Sequence, residues 1–325
     1  MSTRLFDVVA IGDCKADHFI ALDNCSVVTR PGGIKKLLLD FGQKIPVREF
    51  KFFPGGNALN TAVSFSRLGL KTALLTVLGH DDEGARILAK LASERISRRF
   101  VRIEKGVETD KSIILVFGGE RTVLSYHAEK TYHLPADSRT IWVYLTSLGA
   151  EYKKIYEDVA KKKNVHGLKI SYNPGTRQLL HSVSAVRKMA RASEIFIVNL
   201  QEARLVAGRK SANPKSLLIA LKKFSSAITV ITDGPKGAFA QGQGEYYRIA
   251  SFPAKRIDST GAGDAFASAF TAAIIYGKGP SEALRWGSLN AVGEIKQIGV
   301  QTGLPTKTQM LKLLKSASWF SAKKF

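Results

Sequence analysis

Residues 257–266 read IDSTGAGDAF, and the chain then runs to Tyr276 as an almost uncharged apolar segment. This stretch predicts a buried helix starting at Gly261–Asp264. A buried helix start leaves several backbone N–H groups without intrahelical partners, and glycine there lets the main chain approach another group closely. The natural partner is an anion, because the helix dipole is positive at that end.

On either side of this stretch, strand-like and helix-like segments alternate. Strands are predicted at FDVVAIG (6–12), TALLTVLG (72–79), TIWVYLTSLG (140–149), LKISYN (168–173), EIFIVNL (194–200) and AITVITDG (227–234). Several are nearly continuous apolar runs, as expected of strands covered on both faces. Helices are predicted at about 57–69, 82–93, 151–163, 181–191, 201–207, 213–224, 264–277 and 281–295. This rhythm indicates an α/β fold with a doubly wound, mostly parallel sheet flanked by helices. Residues 18–53 and 105–135 break the rhythm with β-type material such as SIILVFGGERTVLSYH (112–127), whose FGGERT turn suggests a hairpin. They are expected to form a small β-sheet lid inserted into one domain that spans residues 1–325.

Composition narrows the class. At 325 residues and 45% hydrophobic content the chain can bury a large core. Its two cysteines, Cys14 and Cys25, are too few for a disulfide framework, and MSTRLFDVVAIGD lacks the basic start and apolar stretch of a signal peptide. The expected location is therefore cytoplasmic, and no apolar run reaches the ~18 residues of a membrane span. The balance of 49 Lys+Arg against 27 Asp+Glu gives a net charge of +22, which favours anionic partners or phosphorylated substrates. The basic residues are spread along the chain without interleaved aromatics or zinc-finger spacing, which argues against nucleic acid as the main partner.

In open α/β sheets ligands bind beyond the carboxyl ends of the strands. IGDCKAD there supplies Asp13 and Asp17, PGGNALN (54–60) opens a helix, NLQE (199–202) follows IFIV, and TDGPKGA (232–238) follows AITVI. Taken singly, each also fits a turn or a helix cap. The sequence has no GxxxxGK[ST] loop, no GxGxxG after the first strand, and none of the catalytic elements of protein kinases. Phosphate binding must use another device.

Taken together the motifs resemble the PfkB family of ribokinase-like carbohydrate kinases. GGNALNTAVSFSRLG (55–69) matches one family signature and DSTGAGDAF (258–266) the other. LGHDDEG (78–84), NLQE and VITDGPKGA (230–238) fall between them in family order. The resemblance implies a kinase that moves the terminal phosphate of ATP to a hydroxymethyl group of a sugar or a nucleoside. By it, Asp264 is the base and Gly261, Ala262 and Gly263 with Asp264 form an anion hole for the phosphate. Asp17, Gly56, Asn57 and Asn60 match the acceptor-binding positions; Thr232, Gly234, Gly237 and Asn290 match the nucleotide-binding ones, with Lys236 within reach of a phosphate. Asn199 and Glu202 match the positions associated with Mg2+, and the resemblance also allows a monovalent cation such as K+. It implies lid closure about Gly55–Gly56 and a homodimer formed through the lid.

Two departures bear on the acceptor. Ribokinases carry asparagine where this chain has Lys15, and an acidic residue where it has Gly149. The lysine favours an acidic or phosphorylated acceptor. A nucleoside is the alternative, because His127, Tyr126 and Tyr132 in the expected lid could stack on a base.

Overall fold

The computed structural model describes residues 5–118, 120–211, 213–224, 227–255, 260–297 and 299–325. Arg256 to Ser259, and with them part of the opening motif, lie outside the described residues, as does Gly119 of the FGGERT turn.

Ten strands form the main sheet: β1 (Phe6–Ile11), β6 (Thr72–Gly79), β7 (Ser97–Glu104), β10 (Thr140–Leu145), β11 (Lys169–Tyr172), β12 (Ile195–Asn199), β13 (Ile228–Thr232), β14 (Ala238–Gly242), β15 (Glu245–Ile249) and β16 (Lys323–Lys324). Their order is β16-β15-β14-β13-β12-β11-β10-β1-β6-β7. From β13 to β7 every pairing is parallel, and β14 to β16 add an antiparallel edge. The chain leaves β1 first toward β6 and later returns to β10 on its other side, so a crevice opens beyond the end of β1.

Helices cover both faces, which explains why all eight residues of β6 are buried. On one face lie α3 (Tyr152–His166), α4 (Thr176–His181), α5 (Val183–Ala192), α6 (Leu200–Ala207) and α7 (Pro214–Leu221). On the other lie α1 (Asn57–Arg67), α2 (Asp82–Ser93), α8 (Ala262–Ile275), α9 (Pro280–Ile295) and α10 (Lys307–Ser316). Helix α8 has no polar face because α1, α9 and the sheet enclose it. Its alanines and serines permit close approach; Ser268 Oγ donates to Ser64 Oγ of α1 at 2.7 Å. Truncating the fully buried Phe270 of α8 to alanine would cost about 3–5 kcal/mol.

The remaining strands are β2 (Lys15–Leu22), β3 (Ser26–Arg30), β4 (Ile34–Leu38), β5 (Val47–Gly55), β8 (Asp110–Phe117) and β9 (Glu120–Tyr126). A four-stranded sheet, β5-β2-β8-β9, stands off the core, while β3 and β4 form a separate two-stranded sheet. The expected hairpin is present, with Phe117 opposite Glu120. The small sheet is mixed, because β2 and β8 run parallel. Among the described residues no helix is long and apolar enough to cross a membrane.

Candidate active site

Asp13 begins the crevice beyond β1, where its N–H donates to Ser147 O at 2.8 Å. Gly56, with φ +93°, caps α1 and lies flat against this turn. A Cβ there would come within 2.7 Å of Asp13 O and 2.9 Å of Lys15 N, so only glycine permits the approach. Asn57 does not cap the helix. It sits one turn before Asn60, and both amides point at α8: Asn57 Nδ2 donates to Asp264 Oδ1 at 3.0 Å and Asn60 Nδ2 to Asp264 Oδ2 at 2.9 Å. Gln301 Nε2 donates to Asn60 Oδ1 at 2.9 Å, which fixes the orientation of that amide.

Asp264 is therefore a buried carboxylate with a donor on each oxygen. Burial pushes its pKa up to about 7; the two amides pull it back, and the negative charge of Asp17 adds to the rise. Asp17, on β2, is itself pushed by burial to about 6, against the opposing effects of Lys15 and Ser112. Both carboxyls lie at the junction of the small sheet, α1 and α8.

Helix α8 starts from Gly261 at φ +78° without any side-chain cap. Ala262 and Gly263 of its first turn line a cavity of about 400 Å³. Thr232 at the end of β13, Gly234 and Gly237 line it too, opposite Phe266 of α8 and Ser288, Ala291, Val292 and Ile295 of α9. Lys236 ends a short 3-10 turn with an exposed side chain. Asn290 requires a correction: it is fully buried on the other side of α9, donating to Ser64 Oγ at 3.1 Å and Ala265 O at 2.7 Å. Positions 288, 291, 292 and 295 share the face toward the cavity, and the helical period turns 290 away from it.

Asn199 stands level with Thr232 on the neighbouring strand. It caps α6, accepting from Glu202 N at 2.9 Å, while Glu202 Oε2 accepts from Asn199 N at 2.8 Å. Burial raises the Glu202 pKa and the capping bonds oppose the rise. One carboxylate oxygen is thus occupied in the cap. The pair fits Mg2+ only as an ion that keeps most of its water shell.

Sequence reasoning missed a buried charged cluster beside Asp13. Asp110 Oδ1 accepts from Lys130 Nζ at 2.6 Å and from Ala128 N at 3.0 Å. His127 Nδ1 lies 3.2 Å from Asp110 Oδ2 and 3.6 Å from Asp13 Oδ2. Burial works against the Asp110 charge, but His127 and Lys130 outweigh it and hold the carboxyl below its ordinary range. The neighbouring carboxylates of Asp110 and Asp13 raise the His127 pKa. Tyr132 is not a stacking platform: it is buried and donates its hydroxyl to Asp13 Oδ1. No sequence pattern signals this cluster, because its members lie up to 119 positions apart.

An open α/β sheet with a glycine-led helix start at its cleft and a buried carboxyl beside that start is the architecture of a small-molecule phosphotransferase. The chain belongs to the pfkB family of carbohydrate kinases, matched over residues 7–307. Ribokinase of Haemophilus influenzae is 26% identical over 326 residues, covering 95% of this chain and 99% of the relative. A nucleoside kinase of Methanothermobacter thermautotrophicus is 23% identical over 320 residues, with 96% of each covered. The structure of Arabidopsis thaliana ribokinase complexed with ribose and ATP superposes with a TM-score of 0.81 at 21% identity, covering 95% of this chain and 99% of that one. The fold is thus ribokinase-like, and the chain is a kinase acting on a sugar or a nucleoside.

Proposed function

We propose that the protein transfers the terminal phosphate of ATP to a hydroxymethyl group of a sugar-like small molecule, with Asp264 as base. The observation that carries this reading is the position of Asp264. It lies in the first turn of α8, whose Ala262 and Gly263 line the cavity, and it is held by two amides from α1. The nucleotide would occupy the cavity along Thr232, Gly234 and Gly237, with the amides of residues 261–264 around the transferring phosphate. Asp17, Asn57 and Asn60, beside Gly56, would bind the acceptor hydroxyls.

Transfer of this kind runs through a loose transition state, so positioning and electrostatics do most of the work. As the acceptor oxygen bonds to phosphorus and the bond to ADP breaks, the hydroxyl proton passes to Asp264. A pKa of about 7 suits a base that must be ionised near neutrality yet accept a proton late in the step. Asn57 and Asn60 keep both carboxylate oxygens in place throughout. Mg2+, held through Glu202, Asn199 and water, would offset phosphate charge.

The sugar reading is favoured over a nucleoside because two of the three rings expected to stack are engaged elsewhere. Tyr132 is in the core, and His127 is held between carboxylates. The outer face of the small sheet exposes Phe50, Ile113, Leu124 and Tyr126, which supports pairing of two subunits through it. The function is tested by measuring ADP release from ATP over sugars, sugar acids, sugar phosphates and nucleosides. The absence of turnover with every acceptor defeats the proposal.

A further inference from the structure

We infer that the acceptor carries an anionic group, a carboxylate or a phosphate monoester, and that Lys15 is the residue that receives it. The inference rests on the kinase reading above and narrows its substrate class.

Lys15 and Asp17 are two residues apart on β2 and so share one face of the small sheet. Asp110 and Ser112 of β8 lie beside them in register, and Ser125 of β9 beside Ser112. Asp17 Oδ2 packs against Gly55, just before the helix whose Asn57 and Asn60 hold the reacting carboxylate, so this face adjoins that carboxylate. Lys15 also stands opposite Gly55, immediately before the helix that carries Asn57 and Asn60.

An ammonium has three protons to donate. Here Ser125 Oγ takes one at 2.8 Å and His127 Nε2 a second at 3.0 Å. Among the described residues no carboxylate forms an ion pair with Lys15. The other nitrogen of His127 faces Asp110 and Asp13, which only accept when ionised, so that network places the ring proton on Nδ1. Nε2 is then bare and accepts from Lys15. Two carboxylates, an imidazole and a serine thus hold one half-buried ammonium in place and leave a donor for a ligand.

Neutral hydroxyls would be served by an amide, without the cost of withdrawing a cation from water. That cost is visible: burial depresses the Lys15 pKa by more than the charges of Asp13, Asp110 and Asp17 restore, and the Arg177 charge depresses it further. Arg177 belongs to the first turn of α4, just after Gly175, which packs against Ser147 beside Asp13. A second, exposed cation therefore stands near Lys15. A ligand that brings negative charge offsets the part of the burial cost that the three carboxylates leave.

The test compares kcat/KM for fructose, ribose and adenosine with that for 2-keto-3-deoxygluconate and fructose 6-phosphate, in the wild type, Lys15→Asn and Lys15→Arg. We expect one of the anionic acceptors to exceed every neutral one by at least about tenfold. Lys15→Asn should then lower the anionic-to-neutral ratio by about 10–100-fold, chiefly through KM, the range for losing one charge-assisted hydrogen bond. Lys15→Arg should keep more of that ratio than Lys15→Asn. The sugar acid and the sugar phosphate distinguish the two sources of charge. A wild-type preference for a neutral acceptor, or a ratio unmoved in a folded Lys15→Asn, overturns the inference and leaves the kinase reading standing. If the variant does not fold, the wild-type ratio alone decides. No turnover with any acceptor, and no acceptor binding by calorimetry, overturns both.

Discussion

The two sides of the cleft are made of different material. The cavity between β13, α8 and α9 offers main chain, apolar side chains and the hydroxyls of Thr232, Ser251 and Ser288. The side toward the small sheet presents the buried carboxyls of Asp17, Asp264, Asp13 and Asp110 with the half-buried Lys15 and His127, and His127 links Lys15 to Asp110 and Asp13. One side can hold a ligand by shape and backbone amides; the other must match charges. A backbone cradle tolerates many sequences, whereas a charge-matched site is specific to its acceptor.

The largest way to break this contrast is at its boundary. Asp264→Asn keeps the shape but removes the proton acceptor, and turnover should fall by about 10²–10⁴-fold with ATP binding retained; a near-normal kcat in the purified variant excludes the role. The wild-type pH profile sharpens the same point. Because burial pushes the Asp264 carboxyl up to about 7, kcat/KM should fall toward about tenfold per pH unit on the acid side of that value. The folded Asp264 carboxyl binds a proton more readily than the unfolded one, so its contribution to stability is present at low pH and lost as pH rises through about 7. Thermal melts should show that slope in the wild type and a flatter one in Asp264→Asn.

Smaller effects belong to the cavity. Ala291→Trp places an indole in it and should raise the KM for ATP at least about tenfold, with a much smaller change in the KM for the acceptor. Among the described residues no side-chain amide or carboxylate lines the cavity, so ATP and GTP should differ by less than about tenfold in kcat/KM. A difference of a thousandfold would show that the base is read more closely than the lining implies.

What the sequence disclosed follows the same division. The core strands were legible because burial on both faces writes continuous apolar runs such as ALLTVL and IFIV. Asp264, Asn57 and Asn60 were legible through short motifs that resemble those of a known family. Strands β7 and β14 to β16 and helices α4 and α10 were not anticipated, since edge strands and short helices bury too little to show a period. The stretch 18–53 read as one β region but divides between two sheets, a choice made by partners distant in sequence. The side of α9 on which Asn290 falls was not legible, because a motif position does not reveal which way a helix is turned. The Asp13, Asp110, His127 and Lys130 cluster was invisible for a related reason: each residue alone resembles an ordinary surface charge, and only the fold assembles them.

Arg121 of β9 donates to Thr260 Oγ1, one residue before Gly261. The tip of the small sheet and the start of α8 are therefore mechanically in series. Should ligands bind at both ends, any help the first gives the second is by thermodynamic reciprocity returned in equal measure. The dissociation constants of nucleotide and acceptor would then be properties of a pair, each measured at a stated occupancy of the other.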